Sequence, residues 1–455
     1  MNILHYSLGL PPFRRGGMTQ YCLDLMFEQA KAGHHVALLW PGRLYDLTRK
    51  SKVYKRQKYK LQNQLYCENF ELLNPLPIPL MDGIKNPAMY LIEKEKKVYT
   101  EFFQKHTFQI LHIHTFMGLP AELVEATREV GVRIVFTTHD YFPICSRCNL
   151  FHAGKDCLND KKCADCVSCN QYGLSFNKMK FFQSELYKSV KESSVIKALR
   201  ARHNRKMYDA TEQVTETEII DSKKQKGYSG LRKRNIEMLE KMDVVHFNST
   251  NTLCIYRKRG YIGKNAQVIS ISNEAIADHK RVRRVGALVR FGYLGPLTTH
   301  KGYNLFKDVC DSLWESGERD FEAHIFVEKD NTPPYMICHK PYSYKELPEV
   351  MDKFDVLVTP SQWEETFGFT VLEALSYGIP VIVSKMVGAK DLIVEGKNGF
   401  VVDGMTESLK NKISEIIEHP SILDDMNEYI EKNFKVKTMK EHSDELDVLY
   451  RKLLN

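Results

Sequence analysis

The 455-residue chain has no stretch of about 18 uninterrupted apolar residues, so no membrane-spanning helix is expected. It has no strong charge excess either. Sixty-five Lys and Arg against 57 Asp and Glu leave +8, too little over this length to demand a nucleic-acid partner. A basic face toward phosphates or an anionic membrane surface is still allowed. No repeat of solenoid period and no low-complexity tract is present. The opening MNILHYSLGLPPF has neither a basic n-region nor a small-residue cleavage site. It reads as a first core strand, not a secretory signal, which predicts a cytoplasmic chain.

What is present is enough apolar material for a sizeable core, 43 % of residues with 11 % aromatic, and length for two or three domains. Short apolar runs alternate with helical spacing. Strands are expected at 2–6, 35–40, 110–114 and 133–137, with helices at 19–33 and 121–130. That is βαβ logic and implies a parallel sheet. The alternation resumes at 244–247 and 267–271. A second α/β unit follows, with strands at 290–294, 322–327, 356–359 and 381–383; the tail, 421–455, is charged and helical.

Between the two, residues 141–240 break the pattern. Residues 178–206 carry nine Lys or Arg and two Glu, with Phe181, Phe182, Leu186, Val190, Ile196 and Leu199 interspersed. The spacing predicts amphipathic helices with a core-facing stripe; the alternative is a helix lying on a membrane surface. Six of the eleven cysteines lie here: Cys145-x2-Cys148, then Cys157-x5-Cys163-x2-Cys166-x2-Cys169. In a reducing compartment this clustering suggests metal before disulfide. Paired C-x2-C units suit tetrahedral thiolate coordination of a structural Zn²⁺ by four of the six. An iron–sulfur ligand set and plain reduced thiols are the alternatives.

The densest signal is VTPSQWEETFGFTVLEALSYGIPVIVS, residues 358–384. A strand ends at Thr359–Pro360 and a loop runs to Phe367, at the strand end where open α/β sheets bind ligands. Gly368 permits close backbone approach. A helix over 369–377 follows, capped by Gly378, with its N-terminal N–H groups suited to an anion. Glu365 lies in the loop and Glu373 about one turn inside the helix, so two carboxylates can face one pocket from different depths. Glu373 stands between Leu372 and Ala374 and is expected to be buried and to need a partner.

This E-x7-E pattern resembles the retaining glycosyltransferases of family 4, which have the GT-B architecture of two Rossmann-like domains facing a cleft. Gly16–Gly17 is similar to the family's glycine-rich loop, and TTHD, ending His139–Asp140, to its histidine segment. DVVHFNS (243–249), GYLGPLTTHKG (292–302) and LIVEGKNGFVV (392–402) are also similar to family segments. Two departures stand out. The usual Arg beside the diphosphate lysine is absent, where Gly295–Pro296–Leu297 replaces G-R-L. Asn273–Glu274 stands where the family has Asn-Gly.

The resemblance implies an acceptor-side domain over 1–272, with the insertion at about 141–240. It implies a nucleotide-sugar domain over 273–430 and a helix over 431–455 packing back toward the first. It implies Glu365 and His139 at the reacting centre, with Glu365 near the donor sugar. Glu373 would bind the ribose hydroxyls and Lys301 the diphosphate. Backbone of Gly16, Gly17, Phe367, Gly368 and Phe369 would add to the phosphate site, and Tyr342, with Tyr344 nearby, would stack on the base. The implied reaction moves a hexose-type sugar, with retention, from a nucleotide-diphosphate sugar to a saccharide or lipid-linked acceptor in surface polysaccharide or glycolipid synthesis. No D-x-D element stands where a divalent cation would bridge a diphosphate, so the chemistry needs no metal cofactor. The competing readings are a GT-B hydrolase or epimerase of nucleotide sugars and, more distantly, a nucleic-acid-binding zinc protein.

Overall fold

The computed structural model describes residues 1–48, 50–152, 157, 163, 165–202 and 221–455, with backbone alone at 155–156. The chain forms two compact units. Unit 1 holds Met1–Asn248, Thr252–Asn273 and Met439–Asn455; unit 2 holds Ser249–Asn251 and Glu274–Thr438.

Unit 1 begins with β1 (Asn2–Tyr6), α1 (Gly17–Lys31), β2 (His35–Pro41), β3 (Lys52–Lys55), β4 (Tyr59–Lys60) and β5 (Tyr66–Leu73). It continues with α2 (Lys97–Lys105), β6 (Ile110–Ile113), α3 (Ala121–Glu129) and β7 (Arg133–Thr137). A short hairpin, β8 (Phe151–His152) and β9 (Lys155–Asp156), precedes α4 (Cys166–Cys169), α5 (Phe176–Phe182), α6 (Glu185–Val190) and α7 (Ser222–Glu240). Then come β10 (Val244–Phe247), α8 (Thr250–Lys258) and β11 (Ala266–Val268). The sheet order is β11-β10-β7-β6-β1-β2-β5-β3, with β4 also on β5. All pairs are parallel except β3 and β4 against β5. The central strands are buried on both faces, as a parallel sheet requires, with His5, His112 and His246 as buried polar members. Strands β3 and β4 escape the βαβ pattern: they are short, lysine-bearing and exposed, the marks of a guarded edge.

Unit 2 is six parallel strands: β12 (Val289–Tyr293), β13 (Phe321–Ile325), β14 (Met336–Cys338), β15 (Val356–Thr359), β16 (Val381–Ser384) and β17 (Gly399–Val402). Their order is β14-β13-β12-β15-β16-β17. The helices are α9 (Tyr303–Glu315), α10 (Leu347–Met351), α11 (Phe369–Ser376), α12 (Thr406–Glu418) and α13 (Ser421–Asn433). Its core joins Phe291, Phe306, Val358 and Ile382 to Ile413 and Ile416, all buried. The chain then re-enters unit 1 as α14 (Met439–Leu454), packed on α1. There Tyr21 Oη lies 2.6 Å from His442 Nε2, and Tyr450 Oη 2.6 Å from His112 Nδ1.

The basic segment differs from expectation. Serines cap two short helices, Ser175 before α5 and Ser184 before α6, and helical residues resume over 194–202. Each break resets the helical phase, so the apolar stripe does not run on one face. Met179, Gln183, Tyr187 and Lys191 are the buried positions, whereas Leu186 and Leu199 are exposed. Lys191 is anchored by the carbonyls of Pro12 and Phe13. The basic run from 203 to 206 lies outside the described residues.

Candidate active site

In unit 2, β12 has β13 on one side and β15 on the other, so the strand order reverses between β12 and β15. Ligands bind outside the carboxyl ends of strands at such a reversal. A cavity of about 530 Å³ opens there, walled by Tyr293, Lys301, Tyr342, Glu365, Gly368 and Glu373 among others.

Each wall is placed by local chemistry. Gly302, in the left-handed region at φ 79, turns the chain after Lys301 so tightly that a Cβ would collide with the Pro360 carbonyl oxygen. Gly368, at φ 102, starts α11, and a Cβ there would meet Val387 Cγ1 at 2.7 Å. No side chain caps α11 and its first turn carries no acid, which leaves its positive end open to an anion. Phe369 lines the cavity. Phe367 does not: it is buried with its ring edge-on to Phe369 at 5.4 Å, and its carbonyl accepts from the Ala389 N–H at 2.6 Å. The expectation for Phe367 concerns its backbone, not its ring.

Glu365 is held by the Ser361 hydroxyl on one oxygen and by Lys301, 2.9 Å from the other. Lys301 also sits over the Trp363 ring, 5.0 Å from its centroid. The lysine expected at a diphosphate is thus already paired with the carboxylate expected near the sugar. Glu373 is buried, and its Oε1 has no hydrogen-bond partner among the described residues. Burial raises its carboxyl to about 7, only partly opposed by a hydrogen bond from Tyr344. An unmet acceptor beside a polar cavity suits a ligand that brings hydroxyl donors. Tyr342 is wedged edge-on to Phe326 at 5.5 Å; burial and the nearby Glu373 push its hydroxyl up. Pro296 also lines the cavity, and its carbonyl accepts from Tyr293 Oη at 2.8 Å. Sequence reasoning missed Tyr293, Ser361 and Thr370. Ser361 stands four residues before Glu365, a signal that a loop obscures.

The remaining expected residues belong to unit 1. Gly16, at φ 130, precedes α1; a Cβ on Gly16 or Gly17 would meet nothing within 4 Å among the described residues. His139, half-buried just past β7, joins the buried imidazoles of His5 and His114. Gln29 Oε1 lies 2.8 Å from His5 Nε2, His5 Nδ1 lies 3.0 Å from His114 Nε2, and His114 Nδ1 lies 3.3 Å from His139 Nε2. With the Gln29 carbonyl accepting, His5 carries its proton on Nε2. His114 then donates from Nε2 and His139 from Nε2, so one tautomer follows from the next. Burial lowers His5 to about 4 and His139 to about 3. Asp140 is raised by burial to about 6.

Among the described residues, one set of three metal-ligand atoms lies within 4.8 Å of one another: His5, Cys22 and His114. The His5–His114 hydrogen bond already accounts for that approach. All six cysteines of 145–169 are free thiols, and no three of them close to that spacing.

Two families match. Residues 15–162 match Glycosyltransferase Family 4 and residues 278–433 match Glycosyl transferases group 1, together about two thirds of the chain. The chain belongs to glycosyltransferase family 4. This family 4 chain is 33 % identical over 89 residues to the D-inositol 3-phosphate glycosyltransferase of Arthrobacter sp. (strain FB24), covering 20 % of this chain and 21 % of that protein. It is 30 % identical over 125 residues to the capsular polysaccharide biosynthesis glycosyltransferase CapM of Staphylococcus aureus, covering 27 % and 31 %. The matched stretches span about a third or less of these relatives. Its fold is GT-B. One solved structure, Anabaena Alr3699/HepE in complex with UDP and glucose, superposes with TM-score 0.54 at 14 % identity, over 99 % of each chain.

Proposed function

We propose that the chain transfers a hexose-type sugar, with retention, from a nucleotide-diphosphate sugar to a saccharide or lipid-linked saccharide, in surface polysaccharide or glycolipid synthesis. The observation that carries this reading is the unpartnered Glu373 oxygen beside the 530 Å³ cavity that also holds the Lys301–Glu365 pair. Glu373 accepts the two ribose hydroxyls. The diphosphate lies between Lys301 and the open N-terminus of α11, replacing Glu365 as the lysine's anionic partner. Glu365, released, turns to the donor sugar. Tyr342 and Tyr344 flank the base. In the reaction the acceptor oxygen bonds to the anomeric carbon and the bond from that carbon to the diphosphate breaks. The nucleoside diphosphate leaves with the electron pair and takes up the acceptor proton.

Fixed positive potential at the leaving group supplies most of the stabilisation in such a step. Lys301 and the helix N-terminus are the sources of it in unit 2, and the side chain at 296 adds none, being proline. The Gly17 backbone and His139 act from unit 1 in this reading. The UDP and glucose in the HepE structure and the capsular role named for CapM support the donor and acceptor classes. A membrane surface as a further partner agrees with the exposed Leu186, Val195 and Leu199 beside Lys188, Lys197 and Arg200. No helix among the described residues is long and apolar enough to cross a membrane.

The test is a thermal-shift and calorimetric screen against UDP, GDP, ADP and their sugars. Occupancy at 100 times Kd should stabilise the chain by about 2.7 kcal/mol. A hit on one base, strengthened by one sugar and abolished by Glu373→Ala, supports the reading. No hit with any nucleotide overturns it. NMR of the product then reads the anomeric configuration, and an inverted product removes retention.

A further inference from the structure

The proposed transfer step uses none of the clustered cysteines, yet they are built into unit 1. A small cavity of about 10 Å³ lies between the residues following β7 and helix α7. That is roughly the space one water-sized particle needs. Cys145, Cys163 and Cys166 line it on one side; Tyr228, Arg232 and Asn235 of α7 wall the other. These elements are held together without the thiols. Tyr228 Oη donates to the Ile84 carbonyl at 2.5 Å and Asn235 Nδ2 to the Pro143 carbonyl at 3.2 Å. The three cysteines therefore line the cavity on a frame that other groups hold.

Three cysteines of the segment lie against guanidinium groups, Cys166 of this set together with Cys157 and Cys169. Arg232 Nη2 lies 4.0 Å from Cys166 Sγ, Arg147 Nη1 3.9 Å from Cys169 Sγ and Arg259 Nη2 3.4 Å from Cys157 Sγ. Arg147 and Arg259 also donate to the carbonyls of Cys169 and Cys157, so the backbone fixes both guanidinium groups beside the sulfurs; a neutral thiol by itself is a weak acceptor. Around a tetrathiolate site the three guanidinium groups are what electrostatics requires, since four thiolates and one divalent cation leave two negative charges. Donors to the coordinating sulfurs are the usual outer layer of a metal centre. Cys148 stands apart, directed to the Leu80 carbonyl at 3.8 Å.

We propose that Cys145, Cys163 and Cys166 bind a structural Zn²⁺ in the cavity against α7, with Cys157 or Cys169 as the fourth ligand. Cys145, Cys163 and Cys166 line one small space without reaching ligand spacing, so binding draws their sulfurs inward and ties these residues to α7. Each thiol that coordinates releases its proton to solvent, and no electron transfer occurs. A site of this kind contributes folding energy to the segment it closes.

The experiment is metal analysis of the purified full chain after gel filtration in a reducing buffer, which uses neither donor nor acceptor and so stands apart from the transfer reading. The expected result is about one zinc per chain. Cys145→Ser and Cys166→Ser should each fall at least fivefold, and Cys148→Ser and the exposed Cys254→Ser should stay at wild-type content. Exactly one of Cys157→Ser and Cys169→Ser should lose the metal. Because a ligand variant can fail to fold, the wild-type chain is also exchanged with Co²⁺. Thiolate-to-cobalt charge-transfer and tetrahedral visible bands are expected. Wild-type protein with less than a fifth of a zinc per chain, a brown iron–sulfur chromophore, a Cys163–Cys166 disulfide in the folded protein, or an octahedral cobalt spectrum overturns the proposal.

Discussion

The Glu373 carboxyl titrates near 4.5 when exposed and near 7 in the folded chain, because burial disfavours its charge. The folded state therefore holds this proton more firmly. The stabilisation is complete below about 4.5 and is lost as pH rises through 7. A shift of this size is worth about 3 kcal/mol. Glu373→Gln should accordingly match wild type in stability at pH 4 and exceed it at pH 8, read from denaturant midpoints across pH; equal midpoints at both pH values would remove the buried-acid account. Donor affinity should move the opposite way, tightening as pH rises through 7, because ribose hydroxyls donate to the charged form. Glu365→Gln should lower kcat more than it raises the donor Kd, and unchanged kcat would remove Glu365 from the reacting centre. The burial of Glu373 was legible from its apolar neighbours in the helix. The Lys301–Glu365 pair was not, since a contact across 64 positions depends on which strand ends the sheet order brings together.

At the scale of elements, two glycines make opposite demands. Gly302 turns on a left-handed backbone with no room for a Cβ, whereas a Cβ on Gly17, the first residue of α1, would meet nothing within 4 Å among the described residues. Gly302→Ala should lower Tm by several degrees, or prevent folding. Gly17→Ala should leave Tm equal or slightly raised, since alanine favours the helix. If Gly17 backbone faces a phosphate, the same substitution should nevertheless weaken donor binding or turnover by tenfold or more. A Tm loss at Gly17 would mean that its role is structural. Element legibility followed periodicity. The parallel strands read as apolar runs because both their faces are covered, and β11, expected over 267–271, is only Ala266–Val268 because pairing to β10 ends there. The basic segment misled because serine N-caps, not hydrophobic spacing, decide where α5 and α6 begin.

At the scale of the molecule, the buried imidazoles and the buried acid work against each other on acidification. His5 and His139, lowered to about 4 and about 3 from 6.5, favour folding above 6.5 and lose that contribution as pH falls through their folded values. His112 and His114 are lowered as well, first by burial and then by neighbouring imidazoles, His5 beside His112 and His112 beside His114. Unit 1 should therefore lose hydrogen-exchange protection between pH 6.5 and 4 before unit 2 does, read on peptides from β1 and β6 against β12 and β15. Simultaneous loss would contradict this. The GT-B layout itself was legible from the βα alternation and the family motifs. The imidazole layer was not, because His5, His112 and His114 read in sequence as isolated polar residues within apolar strands.

The placement of α14 has a consequence during synthesis. Residues 274–438 of unit 2 all leave the ribosome before α14, whereas unit 1 keeps an uncovered face on α1 until Leu446 and Tyr450 arrive. A nascent chain paused before Met439 should carry a protease-resistant unit 2 beside a first unit still awaiting its closing helix, the face most in need of a chaperone's shelter.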